Sequence, residues 1–298
     1  MRFRNKIVVL VLFIFHLSTF SSYAVTSDDY EKVLEGSKEV TFLTPSEEDG
    51  EKISGLLYTP NGKGPFPAVV ALHGAGGIFP YQLWWAKTIS KLGYVVLFVD
   101  HYCKRKILCN RMTDDSDRER GDVMRDWQQV PMRQRMMDAK GAFQFLAKKK
   151  NVLKNKIGSI GWSWGGSVML FKQRYKERFP LPFGGFKATI AFYPNFKYLY
   201  EKPMWQGGEK FKEKVLILYG LSDELESKES YDLLLKEEGD EYLKVVGYPN
   251  SFRKFDELGG YREKYHPAVG DFAKEFNKKA FEGSLNKVVS FFKKNLTK

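Results

Sequence analysis

Ile157-Gly158-Ser159-Ile160-Gly161-Trp162-Ser163-Trp164-Gly165-Gly166 is the stretch that decides the reading, and Ser167-Val168-Met169-Leu170-Phe171-Lys172 follows it. An apolar run enters G-x-S-x-G and a helix-compatible segment leaves it, so the order predicted is strand, sharp turn, helix. In that context the motif has a physical meaning. The turn forces the serine into strained backbone, and glycine at the flanking positions avoids the clashes that follow. The Ser163 hydroxyl would then stand at the C-terminal edge of a sheet, at the N-terminus of a helix whose dipole favours a developing oxyanion. An ordinary strand-to-helix turn is the plainer alternative.

Outward from this stretch, the same alternation repeats. Glu39–Leu43 and Ile53–Tyr58 read as the first strands, with a dense turn signal after them at Thr59-Pro60-Asn61-Gly62-Lys63-Gly64-Pro65. Ala68–Leu72 is a buried strand, Gln82–Lys91 an amphipathic helix and Tyr94–Val99 a second buried strand. Arg133–Lys149 carries apolar residues at helical spacing. Beyond Ser163 come strands at Ala188–Tyr193, Val215–Tyr219 and Tyr242–Val246, a helix at Lys228–Lys236 and a closing helix from about Phe272 to Asn295. Continuous apolar strands separated by helices indicate a mostly parallel sheet covered on both faces, an α/β fold in one domain. The long polar stretch from Lys104 to Val130 is expected to overhang the C-terminal rim of that sheet.

A hydrophobic content of 43% with 15% aromatic residues argues against disorder. At the N-terminus Arg2, Arg4 and Lys6 precede an apolar core from Ile7 to Phe15, and Ser22-Tyr23-Ala24 forms a small-x-small site. These residues predict a signal peptide over 1–24 and an exported chain, periplasmic or secreted, with an uncleaved anchor as the alternative. The apolar run is too short to span a bilayer as a permanent helix, and no membrane span is expected once it is cleaved off. The net charge of +12 stays strongly positive without the leader. Its lysines are scattered among acids, so no nucleic-acid partner is expected. Cys103 and Cys109 could close a small loop in an oxidising compartment, or remain two thiols. Apart from the Cys103 and Cys109 loop, no pair of His or Cys stands at ligand spacing on one element, so no metal is expected.

Two further pieces complete a hydrolase argument. His73-Gly74-Ala75-Gly76-Gly77 ends a buried strand, where glycines let backbone N–H groups approach an oxygen; with the N–H of Trp164 they would form an oxyanion hole. Asp223 lies just past the strand at Val215–Tyr219, which gives the order serine then acid found in α/β-hydrolases. Over roughly residues 50 to 296 the chain resembles the dienelactone hydrolase family. The matching pieces are Val70–Gly77, Val99-Asp100-His101-Tyr102 with Arg105 and Cys109, Arg135–Ala139, Gly161–Gly166, Tyr193-Pro194, Gly220–Asp223, and Gly247-Tyr248-Pro249 with Phe255-Asp256. The resemblance implies an α/β-hydrolase fold, no cofactor and hydrolysis of a small ester or lactone. It also implies Ser163 as nucleophile, Asp223 as the acid of the triad, and Ala75 with Trp164 as oxyanion-hole donors.

One departure outweighs the matches. The position aligned with the family's catalytic histidine is Arg253, in Tyr248-Pro249-Asn250-Ser251-Phe252-Arg253-Lys254-Phe255-Asp256. Arginine stays protonated and has no acceptor lone pair, so it cannot take the serine's proton; its guanidinium could instead pair bidentately with Asp223. His73, His101 and His266 are the histidines outside the leader that remain as candidate bases. Trp84, Trp85, Trp162 and Trp164 could line an acyl pocket, although simple packing is the commoner role. The sequence thus leaves two expectations. One is a serine hydrolase working through an acyl-enzyme at Ser163, and the other an impaired relative that keeps the pocket for binding a ligand or partner.

Overall fold

A computed structural model of the chain describes residues 27–45, 50–108, 128–175, 177, 180–200, 205, 208–258, 263–265 and 272–297. The expected signal peptide, Cys109, most of the 104–130 loop and His266 lie outside the described residues.

Eight strands form one sheet: β1 (Ser37–Thr44), β2 (Glu51–Tyr58), β3 (Phe66–Leu72), β4 (Val95–Asp100), β5 (Val152–Trp162), β6 (Ala188–Phe192), β7 (Lys214–Gly220) and β8 (Leu243–Tyr248). Their lateral order is β1-β2-β4-β3-β5-β6-β7-β8. The β1–β2 and β2–β4 pairs are antiparallel, and every pair from β4 through β8 is parallel. The central strands are buried along their length: Ala68–Leu72 and Val95–Val99 have no exposed surface. Each such Val, Leu or Ile contributes about 1.5–3 kcal/mol relative to exposure, so these runs require cover on both faces.

The helices supply that cover. In chain order they are α1 (Ser27–Leu34), α2 (Pro80–Lys91), α3 (Met132–Ala147), α4 (Trp164–Arg174), the short α5 (Phe196–Tyr200), α6 (Lys228–Glu238) and α7 (Lys278–Leu296). Helix α4 is buried throughout, and its Arg174 is neutralised by Glu237 and Glu238. The closing helix starts later than the sequence suggests. Asn277 caps α7 by accepting from the Ala280 N–H at 3.0 Å, while Phe272–Lys274 pairs antiparallel with Glu263–Tyr265 as a small hairpin, β9–β10. The asparagine cap and these backbone pairs take residues 272–277 out of the helix.

Because β5 lies between β3 and β6, the loops leaving β3, β5, β6, β7 and β8 converge at one rim of the sheet. Parallel sheets of this kind carry their sites there.

Candidate active site

Ser163 follows β5 at φ 51° and ψ −118°. A non-glycine residue held in such a region costs on the order of 1–3 kcal/mol and persists only where its surroundings enforce it. Here the Ser163 N–H donates to Phe192 O at 2.9 Å, and Ser163 O accepts from the Ser167 N–H at 3.0 Å and from Ser167 Oγ at 3.2 Å. The flanking glycines make room. A Cβ on Gly165 would lie 2.4 Å from Leu72 O and 2.6 Å from His73 O, and one on Gly161 would lie 2.5 Å from the Gly165 carbonyl. The turn closes only because neither position has a side chain.

Four loops meet at the Ser163 hydroxyl. Arg253, almost fully buried, donates from Nη1 to Asp223 Oδ2 at 2.8 Å and from Nη2 to Ser163 Oγ at 2.9 Å. The same Nη2 reaches Tyr193 O at 2.6 Å and Asn195 Oδ1 at 2.8 Å. Ser163 Oγ in turn donates to Asn195 Oδ1 at 3.3 Å. Nη1 thus serves the acid while Nη2 serves the serine. The other carboxylate oxygen, Oδ1, is occupied by the Leu225 N–H at 2.9 Å, so the guanidinium fork is split between acid and serine. Arg253 bridges Asp223 to Ser163 with donors alone.

The electrostatics follow from burial. Burial would lower the Arg253 pKa, but Asp223 at 2.8 Å holds it above its ordinary value, so the guanidinium stays charged. Burial raises the Asp223 carboxyl despite the opposing pull of Arg253. Beside them Glu226 accepts from the Lys197 N–H with both oxygens, at 3.1 and 3.0 Å, and burial raises its pKa to about 8. Asp256 is enclosed below the site, where it accepts from Trp85 Nε1 (3.0 Å), Trp162 Nε1 (2.8 Å) and Tyr193 OH (2.7 Å). Burial raises it to about 6 against the opposing bonds from Tyr193 and Trp162. Trp85 and Trp162 thus pack in the core and anchor this carboxyl.

The described histidines do not serve Ser163. His73 Nδ1 donates to Gly74 O at 2.7 Å, while its Nε2 accepts from the His101 N–H at 3.2 Å. His101 Nδ1 meets Asp138 Oδ2 at 2.6 Å. Burial lowers His101 to about 4 although Asp138 opposes it, so the imidazole is neutral near pH 7. Both are structural, with ring centroids 4.8 Å apart.

The loop behind the serine is held by its carbonyls. Gly74 O accepts from His73 Nδ1 and from Arg135 Nη1 at 3.4 Å, and Ala75 O accepts from Tyr102 OH at 2.5 Å. Arg135 Nη2 donates to that same Tyr102 hydroxyl. In a trans peptide the carbonyl and the next N–H point opposite ways, so these bonds turn the Ala75 and Gly76 N–H groups away from Arg135 and Tyr102. Gly74 itself packs on the nucleophile, where an added Cβ would come 3.4 Å from Ser163 Cβ. Trp164 opens α4, so its N–H lies in the first turn, where the helix's N–H groups point out of its N-terminal end.

Sequence reasoning did not find Asn195, Glu226 or the Tyr193 carbonyl. Asn195 was the most accessible of these, since it follows β6, the neighbour of β5, and its N–H donates to Ser167 Oγ at 2.9 Å. Arg135 and Asp256 stood in matching pieces of sequence with no role attached. Among the described residues no group of three or more His, Cys, Asp or Glu is placed to hold a metal ion, and no helix is long and apolar enough to cross a membrane. Cys103 is disulfide-bonded.

Comparison with known proteins adds the following. The sequence model described as the dienelactone hydrolase family matches residues 53–296. No curated protein matches the chain. Among solved structures, a putative dienelactone hydrolase from Klebsiella pneumoniae is similar at 17% identity and a TM-score of 0.62, with 86% of this chain and 98% of that one covered. A dienelactone hydrolase-like promiscuous phosphotriesterase from metagenomic libraries is similar at 18% identity and a TM-score of 0.65, covering 87% and 99%. Thermogutta terrifontis esterase 2, phosphoramylated by tabun, is similar at 15% identity and a TM-score of 0.55, covering 86% and 95%. These structures share the α/β-hydrolase fold with the chain.

Proposed function

The chain belongs to the dienelactone hydrolase family, and from that premise we propose that it cleaves small esters or lactones through an acyl-enzyme at Ser163. The observation that carries this reading is the enforced strain at Ser163, φ 51°, in a turn closed by Gly161 and Gly165. Strain of this kind collects where a reactive side chain must be presented. The ester carbonyl lies between Ser163 and the loop from Gly74 to Gly77. Ser163 Oγ attacks it, and the N–H groups of Ala75 and Trp164 receive the negative charge on the carbonyl oxygen. Arg253 donates to Oγ and favours its alkoxide form, because a cation at 2.9 Å stabilises that charge. Asp223 fixes the guanidinium.

One observation favours a second reading, a site that binds without cleaving: the group occupying the base position is a donor. Hydrolysis of 4-nitrophenyl acetate by the purified mature chain, beside Ser163→Ala, separates the two. Nitrophenolate release above the alanine variant supports Ser163 as nucleophile. Equal background in both would refute it and leave the binding reading.

The reading includes export after cleavage near Ala24. It is supported by the charged and apolar leader. The disulfide-bonded state of Cys103 supports it too, because such bonds persist in oxidising compartments.

A further inference from the structure

From the atoms around Ser163 we infer that the site is an acyl acceptor that holds its acyl group, completing the first half-reaction and stalling before the second. This rests on Ser163 being the nucleophile, and deepens that reading.

The argument lies in what touches Oγ. Arg253 Nη2 donates to it at 2.9 Å, and it donates to Asn195 Oδ1 at 3.3 Å. Among the described residues no imidazole or carboxylate is hydrogen-bonded to Ser163 Oγ, and an amide oxygen is too weak a base to take a proton. The two half-reactions use this arrangement unequally. In the first, the Oγ–carbon bond forms, the bond from carbon to the leaving aryl oxygen breaks, and the aryl oxide departs with the electron pair. The serine proton passes to solvent. Arg253 assists, since it stabilises the alkoxide that attacks, and an aryl oxide needs no proton to leave. In the second, a water oxygen bonds to the acyl carbon, the carbon–Oγ bond breaks, and Oγ departs as an alkoxide that recovers a proton from that water. The remaining acid proton goes to solvent. Arg253 again steadies Oγ, but attacking water must lose a proton as it attacks, and the buried guanidinium accepts none.

A positioned general base contributes about 10²–10⁴-fold to such a step. Here that factor is missing where it matters most, in water attack on an unactivated serine ester. Asn195 and Tyr193 reinforce the arrangement, because Asn195 Oδ1 at 2.8 Å and Tyr193 O at 2.6 Å lock the same Nη2 in place. The guanidinium cannot swing aside to admit a base without giving up its bonds to both acceptors.

The experiment mixes the full mature chain with excess 4-nitrophenyl acetate and follows nitrophenolate by stopped flow and the protein by intact mass. The expected result is a burst of about one equivalent, then a steady phase at least about 100-fold slower, with one acetyl group added. Peptide mapping places that group on Ser163, and Ser163→Ala shows neither burst nor adduct. Linear multiple turnover absent from Ser163→Ala, with no mass increase, would overturn the inference while leaving Ser163 as nucleophile. Neither burst, nor adduct, nor turnover above Ser163→Ala would overturn both.

Discussion

Replacing Arg253 with methionine keeps an apolar stem and deletes the charge that the site is built around. Asp223 is then left buried with its Leu225 N–H contact and no cation. Removing one partner of a buried pair costs about 3–5 kcal/mol, because the remaining charge is uncompensated. Against a total stability of about 5–15 kcal/mol that is a large share, and it exceeds what the lost bonds to Tyr193 O and Asn195 Oδ1 contribute at about 1 kcal/mol each. The loss also depends on pH. Burial already raises Asp223 above its ordinary 3.8, and Arg253 is the leading opposing influence. Without Arg253 the native pKa rises further. A carboxyl with a raised native pKa binds more protons folded than unfolded, so stability falls as pH climbs through the interval between the two values. The deficit of Arg253→Met relative to wild type should therefore be smallest at about pH 4 and grow toward neutrality. Urea unfolding of both proteins at acidic and neutral pH measures it, with Asp223→Asn in the Arg253→Met background as the control that recovers part of the loss. A deficit under about 1 kcal/mol at neutral pH, or one that does not change with pH, would refute the reasoning.

The same sign applies to Glu226. Its carboxyl, ordinarily 4.5, is raised by burial to about 8, so the wild-type protein should lose stability as pH rises between those values, and Glu226→Gln should flatten that slope; an unchanged slope in unfolding experiments would show that Glu226 is not the group responsible. Gly165→Ala places a Cβ 2.4 Å from Leu72 O and 2.6 Å from His73 O. Backbone cannot yield there without parting α4 from β3, so the cost should reach or pass the usual 1–3 kcal/mol of overpacking, roughly, and a melting temperature equal to wild type would contradict the close approach described.

Much of this was legible along the chain. The strands at Ala68–Leu72 and Val95–Val99 and the turn at Ser163 announce themselves by spacing alone, since burial on two faces leaves a continuous apolar run and a strained serine demands glycine beside it. The closing helix was misjudged at its start. Phe272–Lys274 has helix-compatible spacing, but antiparallel pairing with Glu263–Tyr265 across the hairpin makes it a strand. Arg253 was visible as an arginine in a histidine's place; its split fork was not, because Leu225, Tyr193 and Asn195 are what divide it.

The sequence by itself determined the alternation of strands and helices, the serine turn, the acid after β7 and the chemical fact that residue 253 cannot accept a proton. Each depends on a residue's own chemistry or on neighbours a few positions away. Only the tertiary structure decided that Ser163, Asn195, Asp223 and Arg253 share hydrogen bonds, and that His73 and His101 turn instead to Gly74 and Asp138. Ser163, Asn195, Asp223 and Arg253 come from loops after four different strands. Their separation is set by the lateral order β5-β6-β7-β8, which no local pattern encodes.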